Sequence, residues 1–246
     1  MGVIQSADYI IVNDVSSATI GLYIDTPPVP PMAMQRVTTW QTGMDADGHS
    51  PDNVYDNIKL TVNAYAFFPE SFDLSAVYAF LADARTLMFS RFPNRFLSVV
   101  QVDAVQPQPK WDGKRITLKI SFTCEPFKYH TENPETDVTQ THLITNPGTR
   151  FSRPVYIIKY AGQGRTYLSV NGEVCSFDPP DSTAGTMYID CEKMLAYNVQ
   201  NGAKVNQTPC TAGKFPFLAP GDNLISAYND AQQPTTLSVI GNWRDY

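Results

Sequence analysis

Strict alternation of apolar and polar residues in two segments of the first half predicts two half-buried β-strands, over residues 57–68 and 115–124. The positions expected to face the core are Ile58, Leu60, Val62, Ala64 and Ala66 in the first strand and Ile116, Leu118, Ile120, Phe122 and Cys124 in the second. Residues 111–114, with the sequence Trp-Asp-Gly-Lys, have the chemistry of a turn. We therefore expect a hairpin that pairs the second strand with a strand over residues 96–105.

A different spacing predicts one amphipathic helix over residues 71–89. Apolar residues recur there every three or four positions, at Leu74, Val77, Tyr78, Leu81, Ala84 and Met88. Ser71 has the side chain of an N-cap, Asp73 would lie in the first turn, Arg85 in the later turns, and Pro93 beyond the end. The first half is thus predicted to be an α+β domain in the order β-β-β-α-β-β.

The second half predicts a β-sandwich. Short strands are expected at intervals of about ten residues, over residues 155–160, 166–170, 174–177, 186–190, 194–198, 224–228 and 235–240. The pairs Asn171-Gly172 and Asn201-Gly202 predict type I′ hairpin turns, because both positions of that turn need a positive φ. Residues 128–146 are polar and lack a periodic apolar face, so they are expected to form a linker between domains over residues 1–135 and 145–246.

Charge narrows the classes of function. The chain has 246 residues, and its 18 basic and 24 acidic side chains give a net charge of −6. This sign disfavours a protein that coats nucleic acid or an anionic membrane through its charge. The N-terminus lacks a signal-peptide pattern, and no apolar stretch is long enough to span a bilayer, so we expect a soluble protein made in the cytoplasm.

The residues that usually carry chemistry form no recognisable constellation. The four cysteines, Cys124, Cys175, Cys191 and Cys210, contain no CxxC pair and are expected to be free thiols, mostly buried. The three histidines, His49, His130 and His142, lie in polar stretches with no nucleophile motif beside them. No catalytic, cofactor-binding or metal-binding residue is predicted.

Three weaker patterns are interpreted structurally. Asp45-Ala46-Asp47-Gly48 starts like a calcium loop, but the later ligand positions do not fit, and a hairpin tip is expected instead. Gly162-Gln163-Gly164 lacks the third glycine of a phosphate loop and predicts a turn. Six tyrosines of the second half could be sugar-stacking platforms, although packing at a sheet rim is the more common role of this residue: Tyr156, Tyr160, Tyr167, Tyr188, Tyr197 and Tyr228.

The order of several short motifs resembles the distal tail protein (Dit) family of long-tailed phages. In the first half these features are an opening strand and turn over residues 9–21, Pro27-Pro28-Val29-Pro30-Pro31 ahead of Arg36-Val37, a loop over residues 43–55, the single helix followed by Phe89-Ser90-Arg91-Phe92-Pro93, and a strand ending Phe122-Thr123-Cys124-Glu125-Pro126-Phe127. In the second half they are Asn146-Pro147-Gly148-Thr149, Ser152-Arg153-Pro154, residues 157–164, Asp190-Cys191-Glu192, Phe215-Pro216-Phe217-Leu218, Pro220-Gly221-Asp222-Asn223 and Trp243.

This resemblance implies a structural protein of the phage tail rather than an enzyme. It implies a hexameric adaptor ring with a central channel, built by the N-terminal domain and carrying a C-terminal galectin-like β-sandwich outside. The implied partners are the tail tube protein on one face, a tip or baseplate protein on the other, and a receptor-binding protein. DNA would pass through the channel without specific binding, and six copies of an acidic chain would repel it. The second half has no room for an inserted carbohydrate-binding module.

Two alternatives remain open: a tail tube or other ring-forming tail subunit, and a carbohydrate-binding or glycan-active protein that uses the sandwich. For the ring, the strand over residues 57–68 and the loop before it are the candidate contact, since a closed ring can pair the sheet edges of neighbouring subunits.

Overall fold

The chain forms two compact units, residues 1–131 together with Tyr246, and residues 132–245. The structure is a computed structural model that describes residues 7–41, 47–67, 74–109, 115–179 and 183–246. The predicted turn at residues 111–114 and the expected helix-capping residues Ser71 and Asp73 lie outside this description.

The N-terminal unit is built on one antiparallel sheet. Its elements are β1 (Ile10–Val12), β2 (Val15–Ser16), a 3₁₀ turn (Ser17–Ile20), β3 (Leu22–Ile24), β4 (Gln35–Gln41), β5 (Asp47–Tyr55), β6 (Ile58–Phe67), α1 (Leu74–Ala82), β7 (Thr86–Phe89), β8 (Arg95–Pro109) and β9 (Arg115–His130). The strand order is β2-β1-β7-β8-β9-β6-β3, while β4 and β5 pair with each other as a separate two-stranded ribbon.

The alternation in β6 and β9 is confirmed. The two strands pair antiparallel from Ile58 opposite Cys124 to Phe67 opposite Arg115, and β9 pairs with β8 on its other side. All five predicted core positions of β6 are buried, as are those of β9 except Ile116, which is half-buried. Helix α1 contributes Val77 and Leu81 to the same core. One face of the sheet is thereby covered.

Two sequence predictions in this unit were wrong in their extent. The helix ends at Ala82, and Thr86–Phe89 is strand β7, which lies between β1 and β8 with Leu87 and Phe89 buried. Four residues are too few to distinguish the periodicity of a helix from that of a strand. The pairing of Thr86–Phe89 with two neighbouring strands makes it part of the sheet. The expected loop over residues 43–55 also contains strand β5, which its polar sequence and Pro51 concealed.

The C-terminal unit consists of short strands. They are β10 (Glu135–Asp137), β11 (Leu143–Asn146), β12 (Val155–Tyr160), β13 (Thr166–Val170), β14 (Glu173–Phe177), β15 (Gly185–Asp190), β16 (Leu195–Gln200), β17 (Ala203–Asn206), a 3₁₀ turn (Thr208–Cys210), β18 (Thr211–Gly213), β19 (Gly221–Asn229), β20 (Thr235–Ile240) and β21 (Arg244–Asp245). One sheet has the order β10-β20-β12-β15-β16-β17 and the other has the order β11-β19-β13-β14-β18.

These two sheets form a β-sandwich, as predicted. A single core takes Tyr156 and Ile189 from the six-stranded sheet and Leu168 and Phe177 from the five-stranded sheet. Each of the seven strands expected after residue 150 is present within three residues of its predicted bounds. Both Asn-Gly pairs have positive φ at both residues, with φ of 51° and 87° in the first and 50° and 78° in the second, which confirms the type I′ hairpins.

The segment expected to be a linker contains sheet strands. Residues 128–130 complete β9, and β10 and β11 lie at the edges of the two sandwich sheets. Val138 and Ile144 are buried in the sandwich core. Because all three residues of β10 and alternate residues of β11 are exposed, this stretch shows too few apolar positions to reveal its strands.

The side chain of Asn223 hydrogen-bonds to the chain segment that leads into β19. It is fully buried. Its Oδ1 accepts hydrogen bonds from the backbone N–H of Ala219 and from Nδ2 of Asn171, both at 2.8 Å, while its Nδ2 donates to the carbonyls of Ala219 at 2.9 Å and Gly221 at 2.8 Å. The amide thus replaces backbone partners where the chain enters β19.

Candidate assembly surface

Strand β6 is open along its first half on one side. Strand β3 pairs only with residues Ala64 to Ala66, and the backbone N–H of Asp25 then donates to the carbonyl of Asn63 at 3.3 Å. Along Ile58 to Val62, β6 pairs with β9 on one side, and no strand in the described residues pairs with it on the other side. The predicted contact strand is therefore an interior strand at one end and an open edge at the other.

Strand β8 leaves a second open edge on the other side of the sheet. Strand β7 pairs with residues Phe96 to Ser98 only, and the N–H of Val99 donates to the carbonyl of Arg85 at 2.7 Å. From Val100 to Pro109, β9 is the only strand that pairs with β8 within the described ranges. The β8-β9-β6 part of the sheet thus presents unpaired backbone groups on both sides, which can pair with another chain.

The β4–β5 ribbon is anchored at the base of β6. The backbone N–H of Asp56 donates to the carbonyl of Met34 at 3.0 Å, and the carboxylate of Asp56 accepts from Arg36 at 2.9 Å. The strands pair from Gln41 opposite Asp47 down to Gln35 opposite Tyr55, with an irregularity near Val37. A ribbon without a sheet of its own to join is a candidate arm for contacting a second molecule.

The face of β8-β9-β6 opposite the core is polar and almost neutral. Hydroxyl and amide residues dominate it, namely Thr61, Asn63, Gln101, Gln106, Gln108, Thr117, Ser121 and Thr123. Its charged groups among the described side chains include Lys59, Lys119, Asp103 and Glu125, two of each sign. Hydrogen bonds from Gln101 and Thr123, and more weakly the charge of Lys59, hold the pKa of Asp103 below its usual value.

The cysteines are free thiols, and three of them are buried. Desolvation raises the pKa of Cys124 to about 12 and that of Cys175 to about 11. It also raises the pKa of Cys191, with smaller contributions from Cys175 and Asp190. Thiols held protonated in this way are poor nucleophiles and poor metal ligands.

The remaining candidate residues are not brought together. His130 ends β9, and His142 lies between β10 and β11 with φ of 51°. The side chain of His49 lies outside the described residues, as does Asp45 of the calcium-like sequence. Among the described side chains, no group of three or more His, Cys, Asp or Glu residues is placed to hold a metal ion. Gly162 and Gly164 have positive φ in the turn between β12 and β13.

The tyrosines considered as sugar platforms use their rings within the protein. Tyr167 stacks on Tyr228 with ring centroids 5.0 Å apart, and Tyr188 stacks on Tyr197 at 5.1 Å. The ammonium of Lys204 lies 4.4 Å from the centroid of Tyr197. The other two, Tyr156 and Tyr160, are buried. In both stacked pairs one face of each ring is therefore covered by its partner, while Tyr228 stays exposed to 50% of its surface.

No helix in the described parts of the chain combines the length and the apolar character that crossing a bilayer requires.

No protein-family model matches the chain, and no curated protein matches it significantly. Among solved structures, the Dit protein (gp 19.1) of phage SPP1, from the hub adsorption apparatus of phages that infect Gram-positive bacteria, matches with a TM-score of 0.71 and 15% identity, over 94% of this chain and 98% of that chain. Chains of the phage p2 baseplate in its activated conformation match with TM-scores of 0.46 with Ca (9% identity) and 0.49 with Sr (10% identity), each over 95% of this chain and 97% of that chain.

The mainly β fold with one helix, predicted from the sequence pattern and implied by the resemblance, is confirmed: α1 is the one α-helix in the described residues, and the chain matches the SPP1 Dit protein. Both units are included, because the match extends over nearly the full length of both chains.

Proposed function

We propose that the chain is a distal tail protein, a structural component of a phage tail that forms a hexameric adaptor ring between the tail tube and the tip or baseplate. The observation that carries this proposal is the pair of open edges on opposite sides of β8-β9-β6, in a chain with the fold of SPP1 Dit.

Two different edges on one sheet favour a closed ring. If the β6 edge of one copy meets the β8 edge of the next, the contact is head-to-tail and repeats until the ring closes. The backbone groups that are unpaired in an isolated copy would then be hydrogen-bonded to the neighbouring copy. The β4–β5 ribbon, which leads directly into β6, would reach toward the same neighbour, in line with the contact predicted from the sequence.

In such a ring the polar face of β8-β9-β6 would line the channel, because α1 and the core cover the other face. The net charge of the chain suggested an acidic channel, whereas the described charged side chains of this face include two lysines beside two carboxylates. A lining of hydroxyls and amides with few charges would give passing DNA no fixed ionic contacts along most of its surface. The proposed passage of DNA without specific binding would then rest on low charge rather than on repulsion.

The proposal assigns the C-terminal unit to the outside of the ring, as a galectin-like sandwich. The proposed partners are the tail tube protein on one face, a tip or baseplate protein on the other, and a receptor-binding protein. The proposed place of action is the tail tip or baseplate of the virion, after synthesis in the host cytoplasm. We propose no enzymatic activity.

Light scattering on a sizing column, with negative-stain electron microscopy of the same peak, tests the ring. We expect particles of six times the 27.4 kDa chain mass with a central hole. Rings that stack into long tubes would favour a tail tube subunit instead. A monomer both alone and mixed with a purified tail tube protein of the same phage would contradict the proposal.

A deletion tests the proposed contact arm. Removing residues 43–53 and joining β4 to the end of β5 by a short Gly-Ser turn should abolish the ring while the far-ultraviolet circular dichroism stays close to that of the full chain. The matched control shortens the β16–β17 hairpin at Asn201-Gly202 in the C-terminal unit, and this variant should still form rings. Rings in both variants would show that the ribbon is dispensable for assembly.

A further inference from the structure

An apolar groove lies between α1 and the open part of β8. Its volume is about 420 Å3. It contains no charged residue and one amide side chain, that of Gln101, and its apolar lining residues include Tyr78, Leu81, Ala84, Val100 and Val102. Tyr78 and Val100 are exposed at its rim, to 46% and 53% of their surface. An aromatic ring beside aliphatic side chains is the composition of grooves that bind extended peptides.

The second feature is a proline arch, which we define as residues 26–34, with the sequence Thr-Pro-Pro-Val-Pro-Pro-Met-Ala-Met. It forms neither helix nor strand from Pro27 to Met34. Pro27 and Ala33 are buried, whereas Val29, Met32 and Met34 are exposed to 85%, 67% and 74%. The arch is thus held at Pro27 and Ala33, and it presents large apolar side chains to solvent between and just beyond these two points.

The arch has the properties of a preorganised ligand. Proline fixes φ near −65°, and a residue before proline is driven to extended conformations. Such a segment loses little conformational entropy when it binds, and aromatic-lined grooves exploit this. The arch and the groove are both free of charged side chains, so their contact would bury no unpaired charge.

The arch of a copy does not fill the groove of that same copy, because no arch residue lines the groove and Val29, Met32 and Met34 are exposed. The chain passes from β3 into the arch, and the arch is followed by the ribbon that leads into β6. The groove lies at β8, and β9 separates β8 from β6 in the sheet. Two strand spacings of about 4.8 Å each therefore lie between β8 and β6, the strand beside which the arch leaves and re-enters the sheet.

We propose that the proline arch of one copy occupies the α1–β8 groove of the next copy in the ring. This inference rests on the proposed ring and identifies a contact within it. The arch lies on the side of the open β6 edge and the groove beside the open β8 edge. One head-to-tail interface would therefore join the backbone edges and these apolar surfaces together.

Disulfide cross-linking of the full-length chain tests this contact. In a Cys210→Ser background, which leaves only the buried native thiols, the pair Val29→Cys and Val100→Cys is introduced, both at exposed positions. After mild oxidation, a non-reducing gel should show a ladder of species up to the hexamer. A second pair, Met32→Cys with Tyr78→Cys, provides an independent reading if the first variant folds poorly.

The matched control replaces Val100→Cys by Val174→Cys, at an exposed valine of the C-terminal unit. A ladder from either arch–groove pair, at least tenfold stronger than that of the control pair, supports the contact. Rings by electron microscopy without such a ladder from either pair would overturn the contact and leave the proposed ring intact. Cross-linking that stops at dimers would overturn the head-to-tail arrangement. Monomers without cross-links, alone and with the tail tube protein, would overturn both proposals.

Discussion

Replacing Asn223 by alanine should destabilise the C-terminal unit by about 3 kcal/mol. The substitution removes a buried amide that makes three hydrogen bonds of 2.8 to 2.9 Å to the backbone at Ala219 and Gly221. Each such bond contributes about 1 kcal/mol net, and more where the abandoned partner is cut off from water. Two further bonds add less: the one from Nδ2 of Asn171, because that residue is exposed and water can replace the lost acceptor, and the one to the carbonyl of Ile144, because it is long at 3.5 Å.

Urea unfolding followed by the fluorescence of Trp243 measures this effect, since Trp243 packs against the sandwich core. Trp40 and Trp111 are replaced by phenylalanine in the reference chain, so that the signal reports the C-terminal unit alone. The matched control is Asn206→Ala, because Asn206 is an exposed residue whose side chain accepts a single backbone hydrogen bond, from Thr208 at 2.9 Å.

The control should cost less than about 1 kcal/mol. If Asn223→Ala lies within about 1 kcal/mol of the reference with an unchanged m-value, the buried amide does not stabilise this edge, and the reasoning from hydrogen-bond geometry is wrong.

Phe122→Ala, at a fully buried position of the N-terminal core, should lower stability by about 3–5 kcal/mol in chemical unfolding, whereas Phe92→Ala, at a half-exposed position, should cost far less. Gly164→Ala should lower the thermal midpoint more than Gly202→Ala: both have positive φ, but a Cβ at Gly164 would lie 2.5 Å from a carboxylate oxygen and a Cβ at Gly202 meets nothing within 4 Å. The free energy of unfolding should fall as the pH rises above 9. Cys124 and the other buried thiols ionise at a lower pH in the unfolded chain than in the folded one, in which the pKa of Cys124 is about 12. A urea midpoint that stays constant from pH 8 to pH 11 would contradict this.

The elements that the sequence predicted well are those with one wet and one buried face. In β6, Lys59 and Thr61 are exposed while Leu60 and Val62 are buried, so polar and apolar residues alternate with the period of a strand. The two Asn-Gly turns were equally predictable from the sequence, because few other residue pairs adopt positive φ at consecutive positions.

The elements that the sequence missed lack that contrast. In β10 all three residues are exposed, and β17 has a single half-buried position, so nothing in their composition distinguishes them from a loop. Strand β7 was assigned to the helix because Met88 continued a helical spacing, and only the pairing of Thr86–Phe89 with β1 and β8 defines it as a strand. Pairing with strands that are distant in the sequence determines the secondary structure of these segments, and the local pattern of residues does not reveal that pairing.

The candidate assembly surface was predictable only in part. The sequence indicated the strand and the preceding loop, but not that β3 covers just one end of β6 or that β8 runs on beyond β7. The groove beside Tyr78 depends on where a helix lies on a sheet, which no spacing of residues specifies. The prolines at 27, 28, 30 and 31 were visible from the start, but their exposed setting was not.

The irregular register of β8 bears on how readily the free chain would aggregate through its open edge. The pairing of β8 with β9 shifts between Leu97 and Val99, again between Val99 and Gln101, and again between Val102 and Ala104. Such bulges twist a strand and break the even row of donors and acceptors along its free side. A passing strand from an unrelated or half-folded chain would find few positions at which to pair, whereas a surface shaped to the same irregularity could pair along its length. The open edge of β8 is thereby poorly suited to aggregation, although its backbone groups remain available to a matching surface.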